Sequence, residues 1–429
     1  MNNSDRIEDA VTRPAVAIIA NAVTPYRLHL HRRIVREIPQ IALNSVFTHD
    51  ISNSPWAAAT PAEISPVMFG QGESCAQQDD PRYLLHEWRK GGRIIRWLRE
   101  HRVRAVVLLG YNDLGRVRIL LWCHRHHVPV LLWGDSNIRC EPTGGARAAL
   151  KKLLLTPVVR CSDAIMPCGT LGTQFFHRYG GEDKPVFLMP YEPDYELIAA
   201  IDSSEADQVC QRMGLRPGRR RIVYSGRMIG IKRVDLLIDA FARIAHERPQ
   251  WDLLLIGGGE LKDALVARVP QELRHRTTWT GFLDDQRTVA ALYRASDVLV
   301  LPSDFEPWAV VINEAAAAGL AIVASDVVGA AAELVRDGVN GFTFPKGDLE
   351  QLTQRLREVT DPARIDTLKA ASPRVLAEWR QRADPVEGLR RALIWCGVLP
   401  ADAATAAEHV RDPVVPAAAP QASPGTDLT

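Results

Sequence analysis

From Ala15 onward, short apolar runs alternate with longer amphipathic stretches. Runs of this kind are what strands of a parallel sheet look like when both faces are buried. The helical periodicity between them marks crossover helices. In the first half the pattern predicts strands at Val16–Ala20, Ile41–Phe47, Ala105–Leu109, Val130–Leu132, Ala164–Met166 and Val186–Leu188. Helices are predicted between them at Tyr26–Glu37, Gly92–His101, Leu114–His126 and Ala146–Val159. In the second half the predicted strands are Ile222–Ser225, Leu253–Ile256, Thr277–Thr280, Val298–Leu301 and Ala321–Ala324. Their helices are Val234–His246, Leu261–Val269, Gln286–Arg294 and Val310–Ala318. This βα repetition, run twice, predicts an α/β chain of two doubly wound sheets. A faint echo points the same way: Ser162-Asp163-Ala164-Ile165-Met166-Pro167 is similar to Ser296-Asp297-Val298-Leu299-Val300-Leu301-Pro302.

The pattern also sets boundaries. Residues 1–14 are polar and read as a flexible N-terminus, with no signal-peptide character. The first domain runs over 15–195, and the aperiodic, proline-containing stretch near Tyr191–Ser204 is the linker. The second domain covers 205–384. A last helix over 385–400 is expected to pack back on the first domain, and 401–429 read as a disordered tail rich in Ala, Pro and Asp.

Composition narrows the function. With a net charge of +1 in 429 residues, nothing points to a nucleic-acid binder. Seven scattered cysteines without a Cys-x-x-Cys pair speak against a disulfide framework or a zinc site and fit a reducing cytoplasm. No apolar stretch reaches the ~18–20 residues that a membrane span needs.

In open α/β sheets ligands bind beyond the carboxyl ends of strands. Four such ends carry suggestive residues. After Ser225, Gly226 leaves only hydrogen between backbone and ligand, Arg227 offers a fork of donors suited to phosphate, and Lys232 opens the next helix. The alternative is that both cations are ordinary surface charges. Gly257-Gly258-Gly259 lacks the third glycine of a dinucleotide fingerprint and reads better as a tight turn near a ligand. At Thr280-Gly281-Phe282-Leu283 the backbone would read a base edge while Phe282 or Leu283 packs its face; a plain turn is the other reading. The segment Ser303–Gly319 places Glu306 in a loop and Glu314 in the following Ala-rich helix. A carboxylate there needs partners, because burying a lone charge is costly. Ribose hydroxyls meet that need, and so does an ion pair with Arg227 or Lys232. The first amides of that helix, at Trp308, Ala309 and Val310, offer donors to a phosphate or a sugar hydroxyl.

Taken together, Gly226/Arg227 with Lys232 and Glu306 with Glu314 resemble the Gly-Arg-x4-Lys and Glu-x7-Glu elements of the retaining glycosyltransferases of the GT-B fold, family 4 in particular. The resemblance spans roughly residues 15–398 and is strongest over 222–345. It implies two Rossmann-like domains facing across a cleft, with the nucleotide-sugar (UDP- or GDP-sugar) on the second. It implies that Arg227 and Lys232 neutralise the diphosphate, Glu314 binds ribose and Glu306 contacts the donor sugar, with no cofactor and no metal. Thr24-Pro25-Tyr26-Arg27 is similar to the start of one subgroup, and the strand end Leu132-Trp133-Gly134-Asp135-Ser136-Asn137 falls where many members carry a His-Asp pair, Gly134 taking the place of the His. Tyr26, Arg27, Asp135 and Asn137 are the candidate acceptor residues, Asp135 being equally readable as a helix cap. Ala309 stands where the family has glycine. The implied function is hexosyl transfer to a saccharide or lipid-linked acceptor in surface polysaccharide or glycolipid assembly. The rivals are a nucleotide-sugar 2-epimerase of similar fold, which would convert donor without acceptor, and a non-catalytic nucleotide-sugar binder. The stretch Ala146–Leu155 mixes cations with leucines, so it reads either as a half-buried helix or as a peripheral contact with the inner membrane.

Overall fold

A computed structural model describes residues 13–52, 61–141 and 144–401. The expectations for 1–12 and 402–429 lie outside the described residues. Two six-stranded sheets, parallel throughout, form the framework. The first is built from β1 (Ala15–Ala20), β2 (Ala42–Phe47), β3 (Pro66–Met68), β4 (Ala105–Leu109), β5 (Val130–Gly134) and β6 (Ala164–Pro167), in the order β3-β2-β1-β4-β5-β6. The second contains β7 (Arg220–Ser225), β8 (Trp251–Ile256), β9 (Thr277–Gly281), β10 (Val298–Leu301), β11 (Ala321–Ser325) and β12 (Gly341–Phe344), in the order β12-β11-β10-β7-β8-β9. Both sheets reverse direction beside their first strand, so each has a topological switch point, between β1 and β4 and between β7 and β10.

Central strands such as β10 and β11 are buried at every position, which is why they read as unbroken apolar runs. Alternate residues of the first sheet feed two clusters. Ala17, Ile19, Val106 and Leu108 pack under the helices Leu84–Glu100, Leu114–Arg125 and Ala146–Cys161. Val16, Ile18, Val107 and Trp133 join a cluster that continues into the second domain. The short edge strands β3 and β12 were not read from the sequence. The expected strand Val186–Leu188 is a correction: only an irregular ladder runs along β6, with Phe187 N donating to Ile165 O at 3.0 Å and Met189 N to Pro167 O at 3.0 Å. Pro185 brackets it, and a proline has no N–H to extend a regular ladder.

The Ser-Asp echo has a structural counterpart. Ser162 Oγ donates to Val159 O and Ser296 Oγ to Leu292 O, both at 2.7 Å. Asp163 accepts the N–H of Val130 at 2.8 Å, and Asp297 that of Arg221 at 2.8 Å. Each turn thus ends a helix and ties the next strand to its neighbour. Asp297 carries more: Arg220 at 2.8 Å and Lys369 at 2.6 Å both donate to it.

The domains meet along a packed seam. Trp308 Nε1 donates across it to Tyr191 O at 2.9 Å, and on the first-domain side Trp133 Nε1 donates to Met189 O at 2.8 Å. The last helix, Pro385–Trp395, lies against Pro25–Glu37 of the first domain, with Arg390 donating to Glu37 O at 2.7 Å and Arg33 to Asp384 at 2.8 Å.

The echo yields a stability test. Asp163→Ala removes one backbone hydrogen bond and should cost about 1 kcal/mol. Asp297→Ala also removes the acceptor of two part-exposed cations, of which Arg220 keeps Asp366 at 2.9 Å, and should cost about 2 kcal/mol. Urea unfolding of both variants checks this; equal losses would show that the two ion pairs contribute nothing.

Candidate functional site

The loops after β7 and β8 lie backbone to backbone. Gly226 N donates to Ile256 O at 3.0 Å, Met228 N to Gly258 O at 2.8 Å, and Leu261 N to Met228 O at 3.1 Å. A Cβ at Gly257 would stand 2.0 Å from Gly226 O, and Gly257 has a φ of +126°. Gly259 is equally constrained, with a Cβ there 2.5 Å from Met228 O, so Gly257 and Gly259 serve the close approach of two loops, which answers the incomplete dinucleotide fingerprint.

These loops floor a cavity of about 850 Å³ between the domains, at the carboxyl edge of the second sheet. Gly226, Arg227 and Gly257–Gly259 line one part, Phe282 and Leu283 another, and Val310 and Glu314 a third. Arg227 is exposed into this space, and its guanidinium has no ion pair or hydrogen bond among the described residues. Its backbone is fixed by Tyr224, whose hydroxyl donates to Arg227 O at 2.8 Å.

Glu314 projects from the helix Val310–Ala318 into the same cavity. Burial pushes its carboxyl up from 4.5 to about 7, against one opposing influence, the Tyr293 hydroxyl that donates to Oε2 at 3.2 Å. Tyr293 is itself buried within the helix Gln286–Arg294. The ion pair of Glu314 with Arg227 or Lys232, one of the two expectations, does not form.

Lys232 instead pairs with Glu306, whose Oε2 also accepts from Ser303 Oγ at 3.2 Å. The two loops are held in register by Asp304 N donating to Ile231 O at 2.8 Å. They follow β7 and β10, the neighbours at the switch point, which is why residues 74 positions apart meet. Asp135, at the end of β5, feels the Glu306 charge and that of Arg27. Burial comes first in pushing its carboxyl up, Glu306 adds to it, and Arg27 opposes.

Several sequence-predicted residues do other work. The Trp308 side chain is buried in the interdomain seam, against Tyr191 O and at 6.0 Å from the Trp379 ring, which leaves its backbone amide as the group expected to meet a ligand. Asn137 donates to Val327 O at 2.8 Å and accepts from Arg139 N at 2.8 Å, so this amide staples the domains and is unavailable to an acceptor. Arg27 is buried and donates to Ala22 O, shaping the loop after β1. Tyr26 lines the cavity and packs edge-on to Tyr191 at 5.1 Å. Ala309 adopts φ 81° and ψ 84°, left-handed backbone that costs a non-glycine residue roughly 1–2 kcal/mol. Sequence reasoning missed Tyr293, and also His29, Arg32 and Arg36, which bring the first helix to the cavity wall. Their helical spacing is that of any amphipathic face, so no local signal set them apart.

One cluster of metal-ligating types occurs among the described residues: His49, Glu73 and Glu87, with ligand atoms within 4.8 Å of one another. The Lys90 ammonium sits among them, 2.6 Å from Glu73 and 2.8 Å from Glu87. A buried cation is thus already provided by the chain, away from the cavity.

Glu314 generates a pH test. Its carboxyl holds a proton more tightly folded than unfolded. It therefore stabilises the fold fully below about pH 4.5, and that contribution is lost as pH rises through about 7. Glu314→Gln should raise Tm over the ligand-free wild type at pH 8 and match it near pH 4. A Tm difference that does not vary with pH would contradict the burial assigned to this group.

Against known proteins, residues 219–361 match the family described as Glycosyl transferases group 1. An uncharacterized glycosyltransferase of Methanocaldococcus jannaschii is 35% identical over 167 residues, covering 38% of this chain and 42% of that protein. A D-inositol 3-phosphate glycosyltransferase of Rhodococcus erythropolis is 29% identical over 352 residues, 79% of this chain and 74% of the relative. A glycogen synthase of Mycobacterium tuberculosis matches over 35% of its own length, so the chain spans under half of some relatives it resembles. The crystal structure of Anabaena HepE in complex with UDP and glucose superposes with a TM-score of 0.67 at 18% identity, covering 90% of this chain and 100% of that one. A sucrose-phosphate synthase from Thermosynechococcus elongatus gives 0.69 at 17% identity, over 89% and 100%. Residues 219–361 thus carry a glycosyl transferases group 1 domain, and the two parallel sheets of this order facing one cavity give the chain the GT-B fold.

Proposed function

We propose that the protein is a retaining glycosyltransferase. It moves a hexose-type sugar from a UDP- or GDP-linked donor to a saccharide or lipid-linked acceptor, in surface polysaccharide or glycolipid assembly. The observation that carries this reading is one cavity lined by both a guanidinium and a buried carboxyl that have no ion-pair partner among the described residues. A diphosphate answers the first and ribose hydroxyls answer the second. The presence of UDP and glucose in the HepE complex supports the same donor chemistry.

In this reading the nucleoside lies against Phe282 and Leu283, and its ribose donates to Glu314. Arg227 and the Gly226 backbone take the diphosphate, with the first amides of the helix at Trp308, Ala309 and Val310 beside it. Lys232 has three donors, so it holds Glu306 and a phosphate oxygen together. Its charge lets an acidic side chain stand next to a diphosphate without net repulsion, and Glu306 is then placed to accept from the donor sugar. Transfer proceeds on one face of the sugar. The bond from C1 to the phosphate oxygen breaks as the acceptor oxygen forms its bond to C1, and the acceptor proton passes to the departing phosphate. The two cations stabilise the charge that grows there, and closure of the cleft excludes water. Tyr26 and Asp135 orient the acceptor. The reaction calls for no cofactor and no metal.

Thermal shift with UDP-, GDP- and ADP-sugars identifies the donor, since a ligand at 100 times its Kd adds about 2.7 kcal/mol of stability. With that donor, Lys232→Ala and Glu314→Ala should each lower kcat/KM by at least about 100-fold. Unchanged activity in either variant removes that residue from the mechanism. Epimer formed from donor alone, or tight nucleotide binding without any transfer, overturns the reading.

A further inference from the structure

The helix Ala146–Cys161 is apolar on two opposite sides. Ala148, Leu155 and Val159 are buried against the first sheet. On the far side Leu150, Leu153 and Leu154 are 57%, 71% and 65% exposed, and Pro157 is exposed with them. The spacing i, i+3, i+4, i+7 makes these four one continuous stripe. Arg147 and Arg160, both exposed, flank the stripe on its two sides. Of the cations in this helix only Lys151 has an ion-pair partner among the described residues, Glu141 at 2.7 Å. The neighbouring helix Leu114–Arg125 adds Leu121, 47% exposed, and neither helix contains an Asp or Glu.

Contiguous exposed leucines mark an interaction face. The flanking charges select the partner. A symmetric contact with a second copy would set like cations against each other, with no acid on either helix to answer them. An anionic lipid surface supplies both an apolar layer for the leucines and negative charge for the arginines. We propose that this helix lies flat on an anionic bilayer, its leucine stripe at the level of the headgroups and Arg147 and Arg160 against lipid phosphates. The Arg147 end follows the turn after β5 that touches the second domain through Asn137, so docking sets the interdomain cleft beside the membrane. The proposal does not depend on the reaction assigned above.

Flotation of the full-length chain with vesicles of phosphatidylcholine alone, or mixed with phosphatidylglycerol, tests it. Binding is expected to the mixed vesicles and to weaken with salt. Arg147→Glu/Arg160→Glu and Leu150→Ser/Leu153→Ser/Leu154→Ser should each reduce partitioning by at least about 10-fold, with circular dichroism and Tm as for wild type. The substituted positions are exposed, so folding is retained. Absence of wild-type binding, or unreduced binding by both variants, overturns the proposal. So does a dimer that the leucine variant dissolves, which makes a second copy the occupant. Binding that appears only after removal of residues 402–429 makes that segment the occupant and equally refutes it.

Discussion

A carboxyl held in a low-dielectric wall with one phenol for company is the constraint around which this molecule is arranged. Glu314 has four lone-pair directions to fill and receives one donor, from Tyr293. Among the described residues no other donor completes its shell, so burial raises the carboxyl and the position is set up for hydroxyl donors from outside. Across the same space Arg227 presents the complementary lack, a guanidinium with no acceptor among the described residues. Both follow from the topology, because β7 and the helix after β10 flank the switch point of one sheet.

The other two charges are handled differently. Lys232 and Glu306 neutralise each other, and the loops that bear them are tied by a backbone hydrogen bond. Two of the four charged groups thus form a preset pair and two are left open toward the cavity. The first domain closes the space with its own first helix, and the seam of Trp133, Tyr191 and Trp308 holds the two sheets in the relation that makes the cavity.

Much of the framework was legible in the chain, for a physical reason. Strands buried on both faces must be apolar throughout, so β4, β10 and β11 announce themselves. The edge strands β3 and β12 are only three and four residues long, too short to carry a period. Arg227, Lys232, Glu306 and Glu314 were legible as residue types at strand ends. Their pairing was not, because it depends on which strand ends are neighbours in space. Asn137 sits in the right loop for a ligand contact, but its side-chain amide is satisfied across the interdomain seam, a demand that arises only once both domains are in place. The Gly257–Gly259 segment was legible as a tight turn, and it lines the cavity, but its backbone contact with the loop after β7 depends on strand order.

The central claim is that the open guanidinium and the desolvated carboxyl receive two parts of one nucleotide. A crystal structure with UDP or GDP bound tests it most directly. The account predicts the diphosphate within hydrogen-bond distance of Arg227 and the Gly226 backbone, with both ribose hydroxyls turned to Glu314. Nucleotide bound elsewhere, or seated in the cavity with its ribose away from Glu314, would contradict it.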